Sequence, residues 1–170
     1  KVYFGWTPDS KMLANYSPVY DATVIEKLKQ AGAIVLGKTN CDAWAHGSSG
    51  ENSDFGATKN PWNFEYVPGG SSSGSAAALS SNMALIATGT DTCGSIRLPA
   101  NYNYLVGLKP TYGAISRYGV IAMASSLDTV GLLGRTVGDV REIFDVVKGE
   151  DGFDSTVKNI DWQKDVKPKL

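Results

Sequence analysis

An α/β domain, with a mixed β-sheet flanked by helices, is the fold class that this sequence predicts, and three stretches predict it. Ala22 to Ala31 carries Val24, Ile25 and Leu28 at helical spacing and runs directly into the apolar stretch Ala33 to Leu36, the length of a short buried strand. Ala76 to Leu79, all good helix formers, lead into the strand-like run Ala84 to Thr88. From Thr136 to Lys148, Val137, Val140, Ile143, Phe144 and Val147 form a second helical stripe. Helices alternating with apolar strands favour a layered α/β arrangement over an all-β sandwich.

Taken in order, Lys1 to Tyr20 is punctuated by Gly5, Pro8, Asp9 and Pro18, so its Tyr, Phe and Trp side chains are expected to pack without forming a regular element. Asp21 is placed to cap the first helix and Gly32 to end it. Asn40 is expected to cap a short helix reaching Trp44 or His46, and the glycine- and serine-rich Gly47 to Gly56 is expected to wrap near a functional site. Gly69 to Ser75 reads as a glycine turn feeding a helix with hydroxyl-rich first residues, and Gly89 to Ser95 as a second turn of the same kind.

Ile96 and Leu98 flank Arg97 in what reads as a short extended piece, with the arginine inward as a structural brace. Tyr104 to Leu108 is expected to be a buried strand stopped by Lys109 and Pro110, and Gly113, Gly119, Gly131 and Gly134 to break the following apolar segments. Asp139 suits the first turn of the last helix, Gly149 closes it, and the tail to Leu170 is charged and expected to be partly flexible.

Composition narrows the function classes. The 170 residues suffice for one domain with a sizeable core, and no internal repeat emerges. Sixteen Lys plus Arg against 17 Asp plus Glu leave a formal net charge of -1, which gives no field for gripping nucleic acid directly. Cys41 and Cys93 form no disulfide framework, and Cys41 reads as a packing residue. No signal peptide and no apolar run of about 18 residues is present, which disfavours secretion and membrane spanning. An organelle transit segment upstream remains compatible with the sequence. His46, the one histidine, has no Cys, Asp or second His at metal-ligand spacing and reads as a surface or helix-end residue.

The two serine-bearing turns carry the chemistry. By composition alone such turns serve equally as linkers or anion-binding nests. A linker would not continue into apolar segments as unbroken as Ala76 to Ala87, and the Gly-Lys-Ser/Thr ending of the common phosphate loop is missing. A serine hydroxyl beside free backbone N–H groups is the minimum for acyl transfer. No Gly-x-Ser-x-Gly elbow occurs, so a serine nucleophile here needs a lysine or a second serine as its relay.

GGSSSGSAAA, GTDTCGSIRLPA and VGLKPTYGAISRYGV together resemble the amidase signature family, over nearly all of the chain from Ser10 to about Thr156. Within that family, GKTNCDAWAHGSSGENSDFGATKNPWN is similar to the glutamine-hydrolysing subunits of tRNA-dependent amidotransferases, as is the stretch at Asp154, Ser155 and Thr156. The resemblance implies one partial amidase signature domain over 1–170, with core motifs in 67–135 and no second domain. It assigns the acyl-ester nucleophile to Ser95, a proton-relaying bridging serine on an unusual cis peptide to Ser71, and support to Ser72 and Arg97. The N–H groups of Thr92, Cys93, Gly94 and Ser95 match its oxyanion hole.

The implied activity is release of ammonia from glutamine for conversion of Glu-tRNA(Gln) to Gln-tRNA(Gln). The implied partners are a companion tRNA-binding subunit plus a small assembly subunit. No cofactor is assigned to this chain, ATP and magnesium being used by the partner-containing complex, and the location is cytoplasmic, mitochondrial or plastid. Two positions depart from the family pattern, Ser73 and Cys93, each standing where glycine is usual. Cys93 is also a rival nucleophile by chemistry. The family's lysine base belongs to a Lys-Asp-Asn-like segment that aligns before residue 1, so neither Lys1 nor Lys11 inherits it, and the chain alone is expected to be inactive. The competing readings are a family hydrolase acting on a small or fatty amide, and a noncatalytic structural or assembly fragment.

Overall fold

The computed structural model describes residues 10–159. Three strands, β1 (Ile86–Asp91), β2 (Val106–Leu108) and β3 (Thr129–Gly134), form a sheet in the order β1-β3-β2 with both pairings antiparallel. Four α-helices flank it: α1 (Thr23–Gln30), α2 (Ser73–Ser80), α3 (Arg97–Tyr102) and α4 (Val137–Val147). The α/β class, a sheet with helices on its faces, is as expected; the three strands among the described residues pair only antiparallel, so the parallel pairing of a mixed sheet is not among them.

Strand β3 is central, and every residue in it is buried. Side chains alternate across a strand, so Val130 and Leu132 join Val24, Leu28, Val140 and Ile143 on the α1/α4 side, whereas Leu133 joins Ala76, Leu79, Ile96 and Ala100 on the α2/α3 side. Burying a side chain such as Leu132 or Leu133 stabilises by about 1.5–3 kcal/mol. Gly131 lies within this strand and breaks nothing, contrary to the sequence expectation. A Cβ there would collide with Ile96 Cγ1, so the glycine is the point where the residue leading into α3 closes on the sheet. Gly134 is likewise inside the strand, against Val140.

Helix α4 begins with a reciprocal cap: the Thr136 hydroxyl accepts from Asp139 N–H at 3.1 Å and the Asp139 carboxylate accepts from Thr136 N–H at 2.9 Å. Val137 stands outside the predicted stripe, 71% exposed. At the other end, Lys27 Nζ of α1 donates to the carbonyls of Val147, Lys148 and Gly149, satisfying the last acceptors of α4 and joining the two helices. The C-terminal tail beyond residue 159 and the aromatic residues before residue 10 lie outside the described residues.

Several local expectations fail for identifiable reasons. Asp21 does not cap α1; the N-cap is Ala22, and Asp21 pairs instead with Lys29 at 2.6 Å. Asn40 caps no helix, because its amide is bonded to Gly56 and Thr58 and its carbonyl to Ser53; the turn Ala43–Ala45 starts from Asp42. Ala33 and Val35 pack on the core, but Ile34 and Leu36 are exposed, and no strand among the described residues pairs with this segment. Tyr16 is exposed, while Tyr20 stacks on Tyr118. Tyr104 is also exposed, leaving β2 to begin at Val106. Gly89, Thr90 and Asp91 belong to β1 and not to a turn, and Arg97 opens a helix where an extended piece was expected.

Candidate active site

The first serine turn enters α2. The Gly70–Ser71 peptide is cis, and Ser71 is buried, with its carbonyl accepting from Asp42 N–H at 3.1 Å and Ser73 N–H at 2.8 Å. Behind this turn stands Asp42, fully buried, whose carboxylate accepts from the N–H groups of Gly50 (3.0 Å) and Asn52 (2.9 Å). Burial pushes the Asp42 carboxyl above its ordinary range; the Asn52 and Gly50 hydrogen bonds oppose the rise and Glu51 adds to it. A Cβ on Gly70 would collide with Asp42 Oδ2, so glycine is what lets the carboxylate sit against the peptide before Ser71.

The second turn follows β1. Asp91, fully buried at the strand end, accepts from the N–H groups of Gly94 (2.7 Å), Ile96 (3.2 Å) and Arg97 (3.3 Å). Arg97 adds two side-chain hydrogen bonds, Nε to Oδ2 at 3.0 Å and Nη2 to Oδ1 at 3.1 Å. Burial alone would raise the Asp91 carboxyl, but the Arg97 bond and the Gly94 and Ile96 N–H groups outweigh it and hold the group below the usual carboxylate range. Asp91 therefore fixes the loop on both sides of Ser95.

The two turns meet directly. Ser72 N–H donates to the Ser95 carbonyl at 3.1 Å, and Ser72 Oγ donates to the Thr90 carbonyl at 3.4 Å. One turn further along α2, Ser75 Oγ donates to the Thr88 carbonyl at 2.9 Å. The Ser72 and Ser75 hydroxyls thus lace the start of α2 to β1, which gives the hydroxyl-rich helix entry a physical reason.

The structure brings Ser71, Ser72, Gly94 and Ser95 together as buried groups, with Cys93 exposed and the Arg97 side chain half-exposed over Asp91. Of the four N–H groups matched to an oxyanion hole, that of Gly94 is engaged by Asp91. Those of Thr92, Cys93 and Ser95 have no acceptor among the described residues. Cys93 is absent from the positive-φ residues, so a side chain fits there without left-handed backbone. Ser73 is fully buried and exchanges a hydrogen bond with Thr58 Oγ1 at 3.0 Å.

His46 stands apart, exposed, with Nδ1 bonded to the Trp44 carbonyl at 2.7 Å. Lys11 is exposed, and Lys1 lies outside the described residues. A cavity of about 710 Å³ on the outer side of α2, lined by residues including Lys59, Trp62, Phe64 and Met83, contains neither Ser71 nor Ser95.

Asp42, Asp91 and Asp128 were not singled out by sequence reasoning, although Asp128 accepts the Thr92 hydroxyl at 2.6 Å. An acidic residue at a strand end, six positions before an arginine and with a glycine between, was the available signal for Asp91. Among the described residues no group of three or more His, Cys, Asp or Glu side chains is placed to hold a metal ion, and no helix is long and apolar enough to cross a membrane.

The profile of the family described as "Amidase" matches residues 6–170. A glutamyl-tRNA(Gln) amidotransferase subunit of Bacillus cytotoxicus is 58% identical over 152 residues, covering 89% of this chain and 31% of that protein. Among solved structures, the corresponding glutamyl-tRNA(Gln) amidotransferase subunit of Thermotoga maritima aligns with a TM-score of 0.87 at 50% identity, covering 91% of this chain and 34% of that one. Kluyveromyces lactis allophanate hydrolase aligns with a TM-score of 0.82 at 41% identity, covering 85% of this chain and 24% of that one. The chain thus spans about a third of the length of the amidotransferase relatives it matches.

Proposed function

The chain belongs to the amidase family, and from that premise we propose that the full-length protein is the glutamine-hydrolysing subunit of a tRNA-dependent amidotransferase. One observation carries the mechanism: the Ser72 N–H to Ser95 carbonyl bond, which joins the two serine turns with Ser71 and Ser95 both buried beside it.

A neutral lysine from outside these 170 residues draws a proton through the Ser71 hydroxyl, and Ser95 Oγ attacks the side-chain amide carbon of glutamine. The oxyanion that forms is received by the Thr92, Cys93 and Ser95 N–H groups, while the Gly94 N–H, held by Asp91, keeps the loop in position. Collapse breaks the C–N bond, the proton returns through Ser71 to the departing nitrogen, and ammonia leaves an acyl-Ser95 ester. Water attacks that ester, releases glutamate and restores the serine.

Residues 1–170 form part of one amidase signature domain whose core motifs lie in 67–135. In the assembled protein the ammonia passes to a companion tRNA-binding subunit, held with a small assembly subunit, where Glu-tRNA(Gln) is amidated with ATP and magnesium. The compartment is the cytoplasm, or a mitochondrion or plastid. This chain, at net charge -1, is not the part that grips tRNA.

The test is glutamine-dependent ammonia release by the full-length protein and its Ser95→Ala variant, with Ser71→Ala alongside. Ser95→Ala is expected to fold and lose turnover. Ser71→Ala is expected to slow acylation by the roughly 10²- to 10⁴-fold of a positioned proton transfer. Undiminished turnover by Ser95→Ala contradicts the reading. The 41% identity to an allophanate hydrolase supports a second reading, hydrolysis of another small amide. A panel of amides assayed by kcat/KM separates the two, with glutamine preferred under the first.

A further inference from the structure

The backbone ladder between β1 and β3 ends at the pair Asp91 and Thr129. Thr92 and Asp128 are the next two residues outward in the same register, and there the connection passes from backbone to side chains: the Thr92 hydroxyl donates to Asp128 Oδ1 at 2.6 Å. Asp128 is itself held. It is 5% exposed, and its carboxylate also accepts from Met123 N–H at 2.9 Å and from Ala124 N–H at 3.1 and 3.0 Å. Its own N–H donates to the Ala124 carbonyl at 2.9 Å. Directly behind it runs β3, buried along its whole length.

The nucleophile loop is therefore pinned at two carboxylates, Asp91 at the end of β1 and Asp128 just before β3. Asp91 holds Gly94, Ile96 and Arg97, on the far side of the loop, but makes no hydrogen bond to Thr92 or Cys93. On the near side the side-chain anchor found among the described residues is the Thr92 hydroxyl. Cys93, exposed and free, adds no second anchor.

We propose that Asp128, acting through the Thr92 hydroxyl, is a positioning residue that orients the Thr92 and Cys93 N–H groups toward the developing oxyanion. This rests on the amidase reading given above. An oxyanion donor works only when aimed before the reaction begins, at about 2.7–3.1 Å from the place the charge will occupy, and complete loss of one costs about 10²- to 10³-fold in kcat. Releasing the loop at Thr92 misaligns donors without deleting them, so the expected loss is smaller, about 10- to 100-fold. Neither Thr92 Oγ1 nor the Asp128 carboxylate is free to bind substrate, so KM should be spared.

The experiment compares full-length wild type, Thr92→Val, Thr92→Ser and Ser95→Ala in steady-state glutamine hydrolysis, with thermal unfolding of each. Thr92→Val keeps the shape and removes the donor; Thr92→Ser keeps the donor. The expected result is a kcat about 10- to 100-fold lower for Thr92→Val with KM within about twofold at a temperature where each variant is fully folded, and Thr92→Ser within about threefold of wild type. Thr92→Val with wild-type kcat overturns the proposal. So does a loss shared equally by Thr92→Ser, or one that vanishes when activity is referred to the folded fraction, since each would make the contact merely structural. Thr92→Ala takes the place of Thr92→Val if the latter does not fold, with the same expected split. Turnover surviving in Ser95→Ala would instead overturn the underlying amidase reading, so the two failures are told apart within one data set.

Discussion

Asp91 and Arg97 meet at two points, Nε to Oδ2 at 3.0 Å and Nη2 to Oδ1 at 3.1 Å, with the carboxylate fully buried and the arginine side chain 54% exposed. The two halves of this pair differ in worth. The guanidinium is half in solvent, which screens its charge. The buried carboxylate is the acceptor for the Gly94, Ile96 and Arg97 N–H groups, of which the buried Gly94 and Ile96 ones have no other partner among the described residues.

Asp91→Ala is therefore expected to cost far more than Arg97→Ala. Leaving a buried N–H unsatisfied costs about 1–3 kcal/mol, and two are orphaned here. Removing the Arg97 side chain should cost less, because the backbone N–H groups of Gly94, Ile96 and residue 97 still satisfy the buried carboxylate. Urea unfolding of the two variants measures the difference; equal losses would mean that the loop is held by the charge pair and not by the backbone acceptor.

Acid should loosen the junction between α1 and the segment after α4. Burial pushes the Asp151 carboxyl up, but hydroxyl hydrogen bonds from Ser116 and Thr23 and the N–H groups of Phe153 and Asp154 overcome it and bring it down to about 2. Nearby, Asp154 is held below the ordinary range by Arg117 and Thr156 against the effect of burial. A depressed carboxyl contributes stability that is fully present above its unfolded pKa of about 4 and is lost as pH falls through the folded value. Stability is thus expected to decline from about pH 5 toward pH 2, and Asp151→Asn to flatten that decline. A pH titration of the unfolding free energy checks it, and an unaltered slope in Asp151→Asn would count against the assignment.

How much of this was readable in the sequence depends on whether the determinant was local. The stripe through Val140, Ile143 and Val147 and the Thr136/Asp139 cap are set by residues within a few turns of each other, and α4 falls where they put it. The first serine turn was legible because its glycines and serines run straight into helix formers, whereas the second was drawn too long, since Gly89 to Asp91 extend β1 by pairing with β3. Ala33 to Leu36 was misread because an apolar run does not reveal whether a second strand is there to pair with it. Gly131 was misread for a related reason: nothing near it in sequence announces that Ile96 will press on its α-carbon. Asp42, Asp91 and Asp128 escaped notice because a lone aspartate looks like a surface charge until the N–H groups that surround it are known. Their partners lie up to 36 positions away in the chain, as with Thr92 and Asp128.

The isolated 170-residue chain is expected to release no ammonia from glutamine above background, even when folded. A serine at its free pKa is a weak nucleophile and needs a base, the lysine proposed to lie outside this chain. His46, the one histidine, makes no hydrogen bond to Ser71 or Ser95 among the described residues. Ammonia release by the chain and by the full-length protein at equal concentration checks this. Robust, Ser95-dependent release by the short chain would show that the base lies within it.

The central claim is that Ser95, and neither Ser71 nor Cys93, forms the acyl bond. The full-length protein treated with an electrophilic glutamine analogue, digested and mapped by tandem mass spectrometry, tests it most directly. The expected result is a single adduct on Ser95, no adduct on Ser71, and undiminished labelling in Cys93→Ala. An adduct on Cys93 or Ser71 in the wild-type protein, with Ser95 unmodified, would contradict it.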